Sequence, residues 1–88
     1  MQVEFLSKFN KDIDNLKSKS TKSKLLNTIN QVKIAKGLSD IPNLKKLKGH
    51  RDAYRIRVGD YRFGIFIVGE LVQFARFVHR KDIYRLFP

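Results

Sequence analysis

From Tyr54 to Ile67 large apolar residues recur with period two (Tyr54, Ile56, Val58, then Tyr61, Phe63, Ile65, Ile67), with tight turns marked at Gly59-Asp60 and Gly69-Glu70. Successive side chains of a strand point to opposite faces, and two-residue glycine-containing loops join such strands into hairpins. This stretch therefore has to fold as a three-stranded antiparallel meander. With two-residue loops, Val58 faces Tyr61, Arg57 faces Arg62, Ile56 faces Phe63 and Arg55 faces Gly64. One face then carries Tyr54, Ile56, Val58, Tyr61, Phe63 and Ile65, and the other carries Arg55, Arg57 and Arg62. The same rule in the second hairpin sets Gly64 opposite Ala75, Arg62 opposite Phe77 and Asp60 opposite His79. Gly64 and Ala75 would then form a shallow depression beside the arginines. Arg76 falls on the side of Phe63 and Phe74, so it is expected at the sheet edge or paired with Asp12 or Asp14. Phe66, Val68 and Leu71 lie at the far end of the arginine side, where Leu86 and Phe87 of the C-terminal tail are expected to cover them.

Upstream the period changes. Met1 to Leu6 alternates as a short strand. Phe9, Ile13 and Leu16 then follow at i, i+4, i+7, the apolar stripe of a helix that Ser7 can cap. Leu25, Ile29 and Val32 repeat the spacing, with Leu26 widening the face, Ser20 or Thr21 as cap and Gly37 as a C-terminal stop. The Lys/Ser-rich run between Lys17 and Lys24 reads as a solvated connection between the helices. Ile41-Pro42-Asn43 breaks regular structure and leads into a basic loop. The order is β-α-α-β-β-β, an α+β fold with a helical hairpin on one face of an antiparallel sheet. The 88 residues suit one domain, 1–88.

Charge narrows the function. The chain carries 19 Lys+Arg against 8 Asp+Glu, a formal net charge of +11, which concentrates polyanions around it. The cations are segregated by type. The eight up to Lys36 are all lysines, whereas the seven arginines lie between Arg51 and Arg85. Lysine suits a solvated helix surface, and the planar five-donor guanidinium suits phosphate. Arg57 directly opposite Arg62 is a repulsive cross-strand pair that an anion would relieve. The ligand expected on this face is RNA. A second basic cluster, Lys45, Lys46, Lys48, His50 and Arg51, precedes the meander and can supply phosphate-positioning contacts. Tyr84, beyond the last strand and near Arg80, can stack on a base or serve acid/base chemistry. With no cysteine and two histidines, His50 and His79, neither a disulfide framework nor a self-sufficient metal site is expected, and no cofactor is implied. No run approaches a membrane span, and a cytoplasmic protein is the simplest expectation.

Three segments carry a resemblance: Leu47-Lys48-Gly49, the run Tyr54-Arg55-Ile56-Arg57-Val58-Gly59-Asp60-Tyr61-Arg62, and His79-Arg80-Lys81-Asp82-Ile83-Tyr84. Together they resemble the signature of the RelE/ParE toxin superfamily of type II toxin–antitoxin systems, in length and element order over nearly the whole chain. The resemblance implies a microbial RNase-like fold. In the RelE branch it implies entry into the ribosomal A site and cleavage of the mRNA there, by attack of a ribose 2′-OH on the adjacent phosphate. Carried over by motif, Arg62, Arg80 and Tyr84 become the catalytic candidates. Lys46, Lys48, Arg51, Arg55, Arg57, His79 and Lys81 become RNA- or phosphate-binding candidates. Some RelE-type toxins have lysines where this chain has Arg55 and Arg57. An arginine holds phosphate but is a poor proton acceptor, so the base is left to Tyr84, His79, Lys48 or a group the ribosome supplies. The expected partners are a cognate antitoxin with an acidic segment, the ribosome and mRNA. A ParE-like poison of DNA gyrase and an inactive co-repressor are the alternatives.

Overall fold

A computed structural model describes all residues, 1–88. Its elements run β1 (Gln2–Phe5), α1 (Ser7–Asp14), α2 (Lys19–Ile34), a 3-10 turn (Leu38–Asp40), β2 (Leu44–Lys46), β3 (Ala53–Val58), β4 (Tyr61–Val68), β5 (Leu71–His79) and α3 (Ile83–Leu86). The strands form one sheet in the order β1-β5-β4-β3-β2, with β1 parallel to β5 and the other pairs antiparallel. The α+β arrangement of helices on the meander is the expected one, but the sheet is mixed rather than wholly antiparallel, because β1 adds to β5 in parallel, and it gains an additional strand. Leu44–Lys46, read from sequence as loop, pairs with β3 through Leu44↔Ile56, Lys45↔Arg55 and Lys46↔Tyr54. Three residues are too short a run to show a period.

The helix bounds differ from expectation at their ends. The N-cap of α1 is Leu6, without a side-chain bond, and Ser7 lies inside the first turn. The N-cap of α2 is Ser18, whose Oγ accepts from the Thr21 N–H at 3.2 Å. Ser20 and Thr21 therefore lie within the helix, and the Lys/Ser-rich run forms most of its first turns rather than the connection. Lysine is a good helix former, and a solvated helical face accommodates the charge. α2 ends at Ile34 with Ala35 as its C-cap, and Gly37 is extended (φ −163°) rather than left-handed. The Met1 ammonium donates to the Lys33 and Ala35 carbonyls (2.8 and 3.0 Å), satisfying acceptors that a glycine cap would otherwise address.

The main core lies between the helices and one sheet face: Phe9, Leu25, Ile29 and Val32 pack with Ile56, Val58, Phe63, Ile65, Phe74 and Phe77. Leu26 does not widen this face, since it is 59% exposed. The first hairpin has the expected register throughout. The second follows it from Val68↔Leu71 to Ile65↔Phe74 and then slips, with Gly64↔Arg76, Phe63↔Phe77, Arg62↔Val78 and Tyr61↔His79. Ala75 is the extra residue of a β-bulge. The bulge has a packing reason. Phe74 and Phe77 are three apart and both buried in the main core, which strict alternation forbids. Past the bulge, Phe77 turns toward the helices instead of facing Arg62, and His79 lies opposite Tyr61 instead of Asp60.

The slip also fixes Arg76 at the edge of β5, beyond the end of β1. Its guanidinium is bidentate to Asp12 of α1 (Nε–Oδ2 2.9 Å, Nη2–Oδ1 3.1 Å), one of the two acids anticipated. Asp12 Oδ2 also accepts the Phe77 N–H at 2.9 Å, so one carboxylate closes a strand edge and neutralises a half-buried cation.

A smaller cluster on the opposite face holds Leu47, Ala53, Ala75, Ile83 and Phe87. Phe87 fills the depression expected between Gly64 and Ala75. A Cβ built on Gly64 would sit 2.5 Å from Phe87 Cγ, so the ring lies directly on the backbone there. It also meets the Phe66 ring at 5.0 Å, whereas Val68 stays 57% exposed and is not covered by the tail. Gly64→Val is expected to expel Phe87 and destabilise the protein by about 1–3 kcal/mol. Hydrogen exchange at the Phe87 amide, which donates to the Ile83 carbonyl at 2.8 Å, should accelerate in parallel with a lower melting temperature.

Candidate functional site

The site residues come from three neighbouring segments: the first two meander strands, the β2 segment before them, and the turn after β5. Arg55 and Arg57 on β3 and Arg62 on β4 share the sheet face away from α1 and α2, by the alternation that buries Ile56, Val58 and Phe63 on the other. Arg57 and Arg62 are cross-strand partners. None of these three pairs with a carboxylate, since the ion pairs of the chain are Arg76–Asp12, a loose exposed Arg80–Asp60 contact at 4.0 Å, and Arg85–Asp82 at 3.1 Å. Neutral oxygens hold them instead. Arg62 Nη1 donates to the Gly59 and Tyr61 carbonyls, both at 2.9 Å, and so folds back over the first hairpin turn. Gly59 has φ +58°, the conformation that this tight turn demands and glycine tolerates.

Arg62 is the electrostatic centre of the group. Partial burial lowers its pKa first, and the positive charges of Arg55, Arg57 and Arg80 lower it further, while Tyr84 acts in the opposite sense. It remains a cation at any physiological pH. Arg57 is its direct cross-strand neighbour, so like-charge repulsion adds to partial burial in disfavouring charge on Arg62. An anion placed there offsets the repulsion. Arg76, in contrast, has a raised pKa, chiefly through its hydrogen bonds to Asp12, and is already neutralised.

Beside the arginines a groove of 570 Å³ is lined by Lys45, Lys46, Lys48 and His50 from the β2 segment and by Tyr84, Phe87 and Pro88 from the C-terminal segment. Tyr84 is 66% exposed on α3. α3 is held against the sheet by Ile83 and Phe87, which occupy the smaller apolar cluster. A second cleft of 310 Å³ lies between Asn43, Leu44, Lys45, Arg55 and Arg57. Lys46 and Lys48 thus stand with Tyr84, and Arg55 and Arg57 stand with Asn43. Arg51 and Lys81 are exposed and line neither space. His79 is engaged locally: its ring packs edge-on to Tyr61 at 5.7 Å, and its Nδ1 accepts the Lys81 N–H at 3.2 Å. Sequence reasoning missed Asn43. The available signal was the Pro-Asn pair, which favours a turn with positive φ at its second position; Asn43 has φ +61°.

No protein-family model matches the chain. Among curated proteins, Toxin RelE3 of Methanocaldococcus jannaschii is 40% identical over 90 residues, covering 100% of both chains. The chain belongs to the RelE toxin family. A RelB-RelE antitoxin-toxin complex from Methanococcus jannaschii contains a chain that superposes with a TM-score of 0.79 at 34% identity, covering 96% of this chain and 98% of that one. In an archaeal RelE-RelB complex from Pyrococcus horikoshii OT3 the values are 0.73 and 20%, over 93% and 97%. An E. coli DinJ-YafQ complex gives 0.63 and 13%, over 94% and 97%. The last two are likenesses of fold alone. The RelE fold and family are therefore those the motifs implied. No helix of the chain is long and apolar enough to cross a membrane.

Proposed function

We propose that residues 1–88 form a single RelE-type domain that acts in the cytoplasm as a ribosome-dependent endoribonuclease, cutting mRNA in the A site and so arresting translation. The observation that carries this reading is the arginine face: Arg55, Arg57 and Arg62 share one side of the sheet, Arg57 lies directly opposite Arg62, and none of them pairs with a carboxylate. The ribose 2′-OH attacks the adjacent phosphorus, the P–O2′ bond forms and the P–O5′ bond breaks, leaving a 2′,3′-cyclic phosphate and a 5′-OH. Negative charge develops on the phosphorane oxygens, where preorganised cations are most effective. Arg62 and Arg80 supply that stabilisation, while Arg55 and Arg57 hold the strand. Lys46 and Lys48 position flanking phosphates from the neighbouring groove.

The 2′-OH proton needs an acceptor, and the 5′-oxygen needs a donor. His79 Nδ1 already accepts from the turn after β5, which leaves Nε2 as a donor and favours Tyr84 or Lys48 as the acceptor. The chemistry requires no cofactor. Arg51 and Lys81, outside both clefts, are assigned peripheral contacts with the RNA or ribosome.

Solved relatives were crystallised as RelB-RelE and DinJ-YafQ complexes, and the net charge of +11 suits an acidic partner. The partner proposed here is a cognate antitoxin whose acidic segment covers the basic face or displaces the C-terminal turn. Expression without antitoxin should stop growth and lower protein synthesis while DNA gyrase continues to supercoil normally. Trapped gyrase–DNA complexes with unimpaired translation would overturn the proposal in favour of a gyrase poison.

A further inference from the structure

Asn43 stands at the corner where the Pro42-Asn43 turn enters β2, and its left-handed backbone (φ +61°) aims two neutral oxygens at two arginines. Its carbonyl accepts from Arg55 Nη1 at 3.4 Å and from the Arg57 main-chain N–H at 3.3 Å. Its side-chain Oδ1 accepts from Arg57 Nη2 at 3.3 Å. The two guanidinium bonds are long and solvent-facing, so they contribute little to stability. What they determine is where the two positive charges sit.

A carboxylate would hold the same guanidiniums more tightly, but it would cancel their charge. A carbonyl and an amide oxygen hold them and leave the charge intact. With Oδ1 engaged by Arg57, the Asn43 amide nitrogen remains a donor. The cleft of 310 Å³ then presents guanidiniums from Arg55 and Arg57, the ammonium of Lys45 and this amide, which are all donors. Lys45 also lines the Tyr84 groove, so one bound strand can pass from the cleft over β2 into that groove.

We infer that the Asn43–Lys45–Arg55–Arg57 cleft is a distinct phosphate subsite for the RNA strand, and that Asn43 is its positioning residue. The inference deepens the proposed RNA-binding function and rests on it. Its test is the salt dependence of binding, which counts phosphate contacts and is insensitive to a merely structural role.

A short oligouridylate and inorganic tripolyphosphate are titrated into the intact protein and into Asn43→Asp, Asn43→Gly and Asn10→Asp variants. Aspartate tolerates the left-handed region nearly as well as asparagine, so Asn43→Asp should fold with a melting temperature no lower than that of the unaltered protein. Asn10 is exposed on α1, away from the arginines, and its aspartate variant carries the same change in net charge. For Asn43→Asp, oligouridylate affinity should fall about fivefold and the slope of log K against log salt should shrink by about 0.7, one single-strand contact. Asn43→Gly keeps the carbonyl and the backbone conformation, and should lose at most about half of that effect on a logarithmic scale. Asn10→Asp should leave the slope unchanged.

If Asn43→Asp and Asn10→Asp behave alike, Asn43 does not build a subsite. If the unaltered protein binds tripolyphosphate but not oligouridylate, the RNA reading fails, and the Asn43 inference is then decided on tripolyphosphate by the same comparison. A protein that binds neither anion overturns both.

Discussion

Arg62→Ala is expected to slow mRNA cleavage on programmed ribosomes by at least about tenfold, and by up to about a thousandfold if Arg62 meets the phosphorane directly. The expectation follows from its place opposite Arg57 on a face whose arginines lack carboxylate partners. Stability should change by less than about 1 kcal/mol, because two hydrogen bonds to the Gly59 and Tyr61 carbonyls are lost while like-charge repulsion is relieved. Single-turnover cleavage rates beside thermal melts separate the two effects. Arg62→Lys keeps the charge but not the fork, and should fall between the alanine variant and the unaltered protein. Full activity of Arg62→Ala would exclude the arginine cluster as the source of charge stabilisation.

The largest effect on folding is expected at Asp12. Its carboxylate binds Arg76 twice and accepts the Phe77 N–H, and the paired side chains are only 14% and 17% exposed. Asp12→Ala leaves a strand-edge donor without a partner and a half-buried guanidinium with only a long bond to the Leu86 carbonyl (3.5 Å), at a cost of about 3 kcal/mol. For a domain of this size the melting temperature should then fall on the order of 15 °C. Asp12→Asn retains an acceptor for Phe77 but loses the charge, and should fall less. A drop of only a few degrees in the alanine variant, followed by circular dichroism, would show that α1 and the bulged strand are held by packing alone.

Legibility in the sequence tracked the strength of the local pattern. The first hairpin was readable to the residue, because Gly59-Asp60 sets the loop length and the alternation on both sides is unbroken. The second was readable only as far as the bulge. Two apolar residues at an odd spacing, Phe74 and Phe77, are the mark that Ala75 leaves, but the demand that both be buried arises only when α1 is in place. β2 was missed because its three residues are stabilised by pairing with β3 rather than by their own pattern.

The arginine face followed from alternation, and its neighbours required more than alternation. Arg80 and Tyr84 came from the family motif. Arg80 is set beside the first hairpin turn by its N–H bond to the Asp60 carbonyl (2.7 Å), and Tyr84 is placed by α3, which Ile83 and Phe87 pin to the sheet over Gly64. That contact turned an expected open depression into a filled one and moved the concave space to the Lys45–Tyr84 side. Asn43 escaped notice because its role depends on a backbone conformation rather than on charge.

The central claim is most directly tested by mapping mRNA 5′ ends after purified protein is mixed with ribosomes programmed with a defined message. The account predicts new ends within the A-site codon, dependent on the ribosome and strongly reduced with Arg62→Ala. Message that stays intact at every protein concentration would contradict it.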